Sequence, residues 1–545
     1  MGVAGGKINS VDVSLSQSQR TALAIPDSCL GKSKRPPEKF QQFFRQPISD
    51  QNRAEVEDYL RDAERDYREC QAEINKYKAL VLILESQKEG MEKTMQKYRS
   101  LVSPVHRLPS DLLLEIFGQC CEVNVIDDQA MPPAMALTMV CGRWREIALS
   151  SPRLWSSISL DLCNFRDHSA HRRITHTNLT ALFLERSKMA PLKVRIHLPP
   201  DYTKEDRYSK YILDIIESQS ERWEELEVFG SEFYAASQAG DIDLPILRHL
   251  TFHAGSSENQ SHDRTIPLDR FKSCPSLTSL STDVTETEPL ELPWANLRVV
   301  TLQGGTIGSA LTVLELCSSL ECLTLVDVYG VRGRSFDNRT VVSNTLKTLS
   351  IQGEDGNPSI IEYFTFPHLS SIDLDYITND ASNSLKEMIQ RSACSITSLA
   401  LYAIEYMTDS DLISLLSLIP TLENLHIEDL ASDCVVTRCF LDHLTVNLGD
   451  YGVFLPHLRE LSLELLASRL EGETLSKALT SRCLPTIPSV ASAIELDCLE
   501  AVTILLDWSE SDDPSPELSS SLESLSPLEY LRDIGLRLTI SHQAQ

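Results

Sequence analysis

At 545 residues the chain is too long for one ordinary hydrophobic core, so several domains or a repeat array are expected. It is 42% hydrophobic and 23% charged, with no apolar run near eighteen residues and no charged-then-apolar amino terminus, so neither a membrane span nor a signal peptide is expected. The net charge of −28 sits in residues 161–545, which hold 29 basic and 57 acidic side chains; so acidic a stretch argues against nucleic acid and anionic membranes as ligands.

Residues 1–48 are rich in Gly, Ser, Gln and Pro and read as a disordered tail. The basic knot at Lys32-Ser33-Lys34-Arg35 reads as part of that solvated tail, with a nuclear-import signal as the weaker reading. From 49 to 102 the pattern becomes a long amphipathic helix or coiled coil. With Val56 at position a, every seventh residue (Ala63, Cys70, Tyr77, Leu84, Met91, Tyr98) can be buried, and the e positions add Leu60, Tyr67, Ile74, Val81 and Met95. Position d carries Asp66, Glu73 and Gln87, which favours an intramolecular or weak contact over a tight dimer and leaves dimerisation open. Ser103-Pro104 ends the helix.

Residues 104–160 carry LPSDLLLEIFGQCCEV, a short polar-tipped connection, and LTMVCGRWREIALSSPRLWSSISL. Leu108-Pro109-Ser110-Asp111 reads as a helix start, followed by Leu112, Leu113, Ile116 and Phe117 at helical spacing. A second helix is expected to carry Leu137, Val140, Cys141, Trp144, Ile147 and Ala148 on one face, and Ser151-Pro152 to stop it before Leu154-Trp155. About fifty residues with this many apolar stripes suggest a face meant for a partner. The order LPxxLLxxIF, VCxxWxxIA, SPxLW resembles the F-box. That resemblance implies a three-helix adaptor that docks a Skp-family protein and, through it, a cullin ubiquitin ligase. The residues carried over are Leu108, Pro109, Leu112, Ile116, Phe117, Val140, Cys141, Trp144 and Trp155, some for the partner and some for the core.

After 161 a helix at Thr180–Ser187 and a strand at Pro191–Leu198 are expected, and then one unit keeps returning: apolar, two polar, apolar, polar, apolar. It is clearest at Leu297-Arg-Val-Val300-Thr-Leu302, Leu320-Glu-Cys-Leu323-Thr-Leu325 and Leu422-Glu-Asn-Leu425-His-Ile427. Twelve copies, with weaker ones around Leu226, Leu280, Val502 and Ile534, have central positions 20 to 41 residues apart. This is the mark of leucine-rich repeats, and 161–545 reads as an irregular α/β leucine-rich-repeat solenoid. Residues 507–527 break the period as an acidic Ser/Pro-rich loop, and a last strand is expected around Ile534-Gly535-Leu536-Arg537-Leu538. The expected fold class is thus multidomain α plus α/β: a long helix, a three-helix F-box and a solenoid. The layout resembles the large F-box families of filamentous and mushroom-forming fungi.

No phosphate-binding, dinucleotide-binding, zinc-protease or nucleophile-elbow motif occurs. His168, His171 and His176 read as a solvated loop, and nothing nominates a cofactor, a metal or a catalytic acid/base pair. The 14 cysteines lack a CxxC pair, which fits reduced thiols in an intracellular protein, cytoplasmic or nuclear. The chain is therefore expected to be a non-enzymatic adaptor of a Skp-cullin-F-box ubiquitin ligase. The other reading is a scaffold whose F-box-like helices only cap the solenoid. Polar strand positions Thr301, Thr324, Ser350, Asp373, His426 and Ser462, with Asp327, Asp375 and Asp429 just beyond, suggest a basic protein substrate.

Overall fold

The computed structural model describes residues 36–45, 47–126, 130–163, 170–198, 207–230, 242–253, 271–283, 292–328, 340–353, 358–430, 434–446, 452–483, 496–508, 523, 525–533 and 535–544. The chain divides into two compact units, Met1–Pro109 and Ser110–Gln545.

In the first unit, helix α1 (Lys39–Gln42) is one turn of structure inside the stretch expected to be a disordered tail. Lys39 pairs with Glu55, and Phe40 stands edge-on to Tyr59 at 5.7 Å, so the turn packs on the long helix that follows. Helix α2 (Asp50–Val102) runs for 53 residues. Its surface is laced by neighbouring-turn pairs such as Arg65–Asp62 at 2.9 Å and Lys93–Glu89 at 2.6 Å, each worth a few tenths of a kcal/mol. It ends at Val102, before the 3-10 turn Pro104–Arg107.

The second unit begins with α3 (Ser110–Cys120), α4 (Pro133–Val140) and α5 (Gly142–Ser150). Their segment also supplies the first two strands of a 15-stranded, wholly parallel, open sheet. The strands are β1 (Val125–Ile126), β2 (Ser157–Asp161), β3 (Leu192–His197), β4 (Trp223–Phe229), β5 (His249–His253), β6 (Ser279–Thr282), β7 (Val299–Gln303) and β8 (Cys322–Val326). They continue as β9 (Thr348–Gln352), β10 (Ser371–Leu374), β11 (Ser398–Leu401), β12 (Asn424–Asp429), β13 (Glu460–Leu466), β14 (Ala501–Trp508) and β15 (Arg537–Ala544). Spatial order equals chain order. One row of apolar residues crosses the ladders in register, from Ile158 through Leu226, Leu323, Leu349 and Leu425 to Leu538. The central residues of the recurring motif therefore stack into one core layer. In the last copy the strand begins at Arg537 and Leu538 stands in the row; Ile534 lies outside the described residues.

Parallel strands need crossovers. They are built by 3-10 turns and by α6 (Ala170–Ser187), α7 (Arg207–Glu217), α8 (Ile307–Leu316), α9 (Asn379–Ser392), α10 (Asp409–Leu416), α11 (Arg438–Leu444), α12 (Gly472–Cys483) and α13 (Pro527–Asp533). Four of these helices start on a threonine hydroxyl that accepts a backbone N–H: Thr306, Thr378, Thr408 and Thr437. Thr408 and Asp411 form a full capping box. Strand exits turn through left-handed residues, including Asp327 (φ 51°) and Gly353 (φ 116°). A side chain on Gly353 would place its Cβ 2.0 Å from Asp327 Oδ1, so this turn requires glycine.

Three local expectations are corrected. The second helix of the 104–160 segment is broken: Cys141 is extended (φ −158°) between α4 and α5, and its thiol accepts the Trp144 N–H at 3.5 Å. The bond from Arg145 Nε to Thr138 O, 2.8 Å, bridges the break. The expected loop around the histidines is helical from Ala170, and His176 is buried. His176, Thr180, Phe183 and Ser187 form the buried stripe of α6, so polar residues occupy positions that hydropathy assigns to solvent. His168 lies outside the described residues. Finally, Asp507 and Trp508 close β14 rather than open the acidic loop, because Asp507 and Trp508 pair with Gln543 and Ala544; most of 507–527 lies outside the described residues.

The thirteen cysteines among the described residues are free. Burial pushes the thiols of Cys121, Cys274 and Cys317 up to about 12 from an ordinary 9.0, Cys120 adding to the shift at Cys121. A folded-state value raised above the unfolded one gives stability that is full below pH 9 and lost as pH rises toward 12. Thermal melts across that window are expected to fall steadily, with exposed Cys439 and Cys498 alkylated before the core opens. A melting temperature that stays level throughout would show that these thiols ionise without cost to the fold.

Candidate functional site

Two surfaces bring polar or apolar chemistry together. The first is the α3–α5 segment. On α3 and just past its end, Leu113, Phe117 and Cys121 follow one another at i, i+4 and i+8 and are buried, while Leu112 and Ile116 lie on the neighbouring stripe, 53% and 46% exposed. At the end of α4, Met139 and Val140 are 63% and 60% exposed.

Beneath this surface lies a core that the segment shares with α6. Trp155 is fully buried, its Nε1–H donating to Ala148 O at 2.8 Å. Its ring lies 5.0 Å from Phe183, and the Arg186 guanidinium sits over it at 4.4 Å. Phe117 packs on Trp144 at 4.8 Å. Buried Asn124 ties the parts together: Nδ2 donates to Leu154 O and Ser157 O, both at 3.0 Å, and Oδ1 accepts from Ala134 N at 3.0 Å.

The nine residues picked out in the sequence thus separate. Phe117 and Trp155 are core. Cys141 and Trp144 are half-buried at the helix break. Leu112, Ile116 and Val140 are exposed, so Val140 leaves the buried face on which the sequence pattern puts it. Leu108 is half-buried and Pro109 exposed, both within the first unit. Met139 and Asn124 were not among the nine. A methionine at a helix end is a weak signal, and a buried asparagine in a polar connection gives none.

The second surface is the sheet face that carries the polar strand positions. Thr301, Thr324, Ser350, Asp373, His426 and Ser462 lie in one row of the ladders, with Ala400 between Asp373 and His426. Its early part holds the Arg195–Glu227 pair (Nη2 to Oε1, 3.0 Å) and a ladder of rings, His197 on Phe229 at 4.5 Å and Phe229 on His253 at 5.5 Å. Its later part is acidic. Glu428 and Glu464 are direct ladder neighbours, and Tyr402 packs against His426 at 4.7 Å. Burial, then Glu464 and Asp375, raises the Glu428 carboxyl; burial and Asp507 raise Glu464; burial raises Asp373 against the pull of His426. Burial lowers His426, against the opposite pull of Asp373. Here the carboxylates crowd one another, and a bound cation would relieve them.

Asp429 does not belong to this face. It is buried, and its Oδ2 accepts from Val435 N at 3.0 Å, Val436 N at 2.9 Å and the Cys434 thiol at 3.1 Å. The strand runs two residues past Ile427, and alternation puts Asp429 on the same inward side as Leu425 and Ile427. Asp327 is exposed and Asp375 half-buried.

Comparison with protein-family models and with curated proteins gives no match. The chemistry of the two surfaces is what bears on function. Among the described residues no group of three His, Cys, Asp or Glu is placed to hold a metal ion, and no helix is long and apolar enough to cross a membrane. An open groove of about 940 Å³ runs along strand entries near Arg298, Glu321, Lys347 and His368, but Glu321 pairs with both Arg298 (3.2 Å) and Lys347 (2.8 Å).

Proposed function

We propose that the chain is a non-enzymatic substrate-recognition adaptor. The α3–α5 segment, read as an F-box, docks a Skp-family adaptor and through it a cullin ubiquitin ligase; the strands, read as irregular leucine-rich repeats, bind a protein substrate through the sheet face. The observation that carries this is the separation within one short segment: Phe117 and Trp155 fill a core while Leu112, Ile116, Met139 and Val140 stay exposed. Apolar side chains this exposed, on helices whose core is already made, favour a protein partner. The crowded carboxylates around Tyr402 favour a substrate surface rich in Lys and Arg.

A second reading has one observation behind it. Because β1 and β2 come from the same segment and form the end of the sheet, this reading makes capping the strand array the whole role of these helices. Co-purification of the full chain with a Skp-family protein separates the two. The expected result is stable capture, reduced at least tenfold by Leu112→Asp combined with Ile116→Asp, with the circular dichroism spectrum unchanged. No capture by the parent chain, or equal capture by the double variant, leaves the segment as a cap.

A further inference from the structure

Helix α2 carries an apolar surface that the proposed adaptor role does not use. Leu60, Tyr67, Ile74, Val81, Met95 and Val102 form a column of every seventh residue, broken by Lys88, and each is between 47% and 71% exposed. A second column, from Ala63 through Cys70, Tyr77, Leu84 and Met91 to Tyr98, lies three residues further on. Placing Leu60 at position a makes these two columns a and d of an unbroken heptad in which Lys88 is the single polar member. Asp66, Glu73 and Gln87, which occupy the seam when Val56 is put at a, then move to g beside it. The phase that leaves the exposed column in the seam is also the more apolar one.

We infer that α2 pairs with α2 of a second copy of this chain, antiparallel. Length points to another copy: at 1.5 Å per residue the helix is about 80 Å long, and the longest of the other described helices, α6, has 18 residues. Such a seam buries more than the roughly 1,200 Å² that specific interfaces need.

Charge sets the direction. Residues 50–76 hold nine acidic and five basic side chains, and 77–102 hold three and five. Antiparallel pairing lays each acidic half along the basic half of the other copy. In the register that matches every a residue with a d residue, Lys88 faces Cys70, Val81 faces Tyr77 and Ile74 faces Leu84. Glu57 then flanks Arg99, and the like-charged pairs that remain are Glu64 with Glu92 and Lys78 with Lys78 at the centre. A parallel pair would instead set Lys88 against Lys88 and both acidic halves together.

The test uses the full chain. Light scattering should give twice the 61.1 kDa of one chain, and Val81→Glu with Leu84→Glu, both exposed positions, should raise the dissociation constant at least tenfold without loss of helix content. Lys88→Leu should lower it. In a Lys88→Cys variant, mild oxidation and peptide mapping should join Cys70 of one copy to position 88 of the other. A chain that remains monomeric, its stripe then covered by its own body or by another protein, overturns the inference. So does a dimer indifferent to the glutamates. Linked peptides joining Cys70 to Cys70 overturn the antiparallel arrangement.

Discussion

Asn124→Ala is expected to lower the stability of the α3–α5 segment by about 3–5 kcal/mol. The side chain is fully buried and makes its three shortest bonds to main-chain groups of three elements: Ala134 N at the start of α4, Leu154 O in the turn holding Trp155, and Ser157 O at the start of β2, with Cys121 O further off at 3.4 Å. Truncation strands one N–H and two carbonyls where no neighbouring side chain replaces them, at about 1–3 kcal/mol each and not fully additive. Asn124→Asp tests the assignment further, because a carboxylate keeps the acceptor for Ala134 N and loses both donations. Hydrogen exchange at the Ala134 and Trp155 amides reads the effect locally, without assuming that so long a unit unfolds in one step. Protection lowered by less than tenfold would mean that water or a shift of the chain replaces the side chain.

The second large effect is expected at Arg482, on the last turn of α12. Its guanidinium is buried and donates to Leu444 O at 2.6 Å, Leu455 O at 2.9 Å and Phe454 O; burial lowers it to about 10. The acceptors are main-chain carbonyls, so the fork ties the C-terminal end of α11 to the turn that leads into β13. Arg482→Leu leaves three carbonyls facing an apolar side chain and is expected to cost about 3–5 kcal/mol. Arg482→Lys should recover little of it, because an ammonium cannot span three divergent acceptors. Proteolysis should then begin between residues 444 and 458. A lysine variant as resistant as the parent chain would reduce the fork to a single useful bond.

Arg391 plays a similar part near the end of α9, donating to Phe364 O at 2.7 Å and to Glu362 O at 3.0 Å, and Arg222 reaches back to Ala190 O at 2.9 Å. None of these arginines was legible in the sequence. They stand at no fixed offset from the motif, because crossover lengths vary, and their acceptors are carbonyls that any residue supplies. The strands were legible for the opposite reason. Residues such as Leu323, Leu349 and Leu425 must alternate with polar neighbours to put one side in the core, and that period survives irregular spacing. At the final strand Ile534 and Leu538 both fit the pattern, and the ladder register takes Leu538.

In the α3–α5 segment the apolar identities were readable and their sorting was not. Val140, Cys141 and Trp144 continue a helical period straight through the break, and the thiol cap found at the break has no signature of its own. His176 misled in the other direction, since its side chain is buried in a stripe that hydropathy assigns to water.

Strand order that equals chain order has a consequence for how the molecule is made. From β2 onward, each strand of the sheet pairs with one that has already left the ribosome, so none has to wait for a distant segment or thread between existing ladders. Assembly can keep pace with synthesis at roughly 5–20 residues per second, the growing edge advancing one strand at a time toward β15. Besides the fixed edge at β1, the nascent chain then presents one advancing edge, always the newest strand, and the next strand to emerge is the one that covers it.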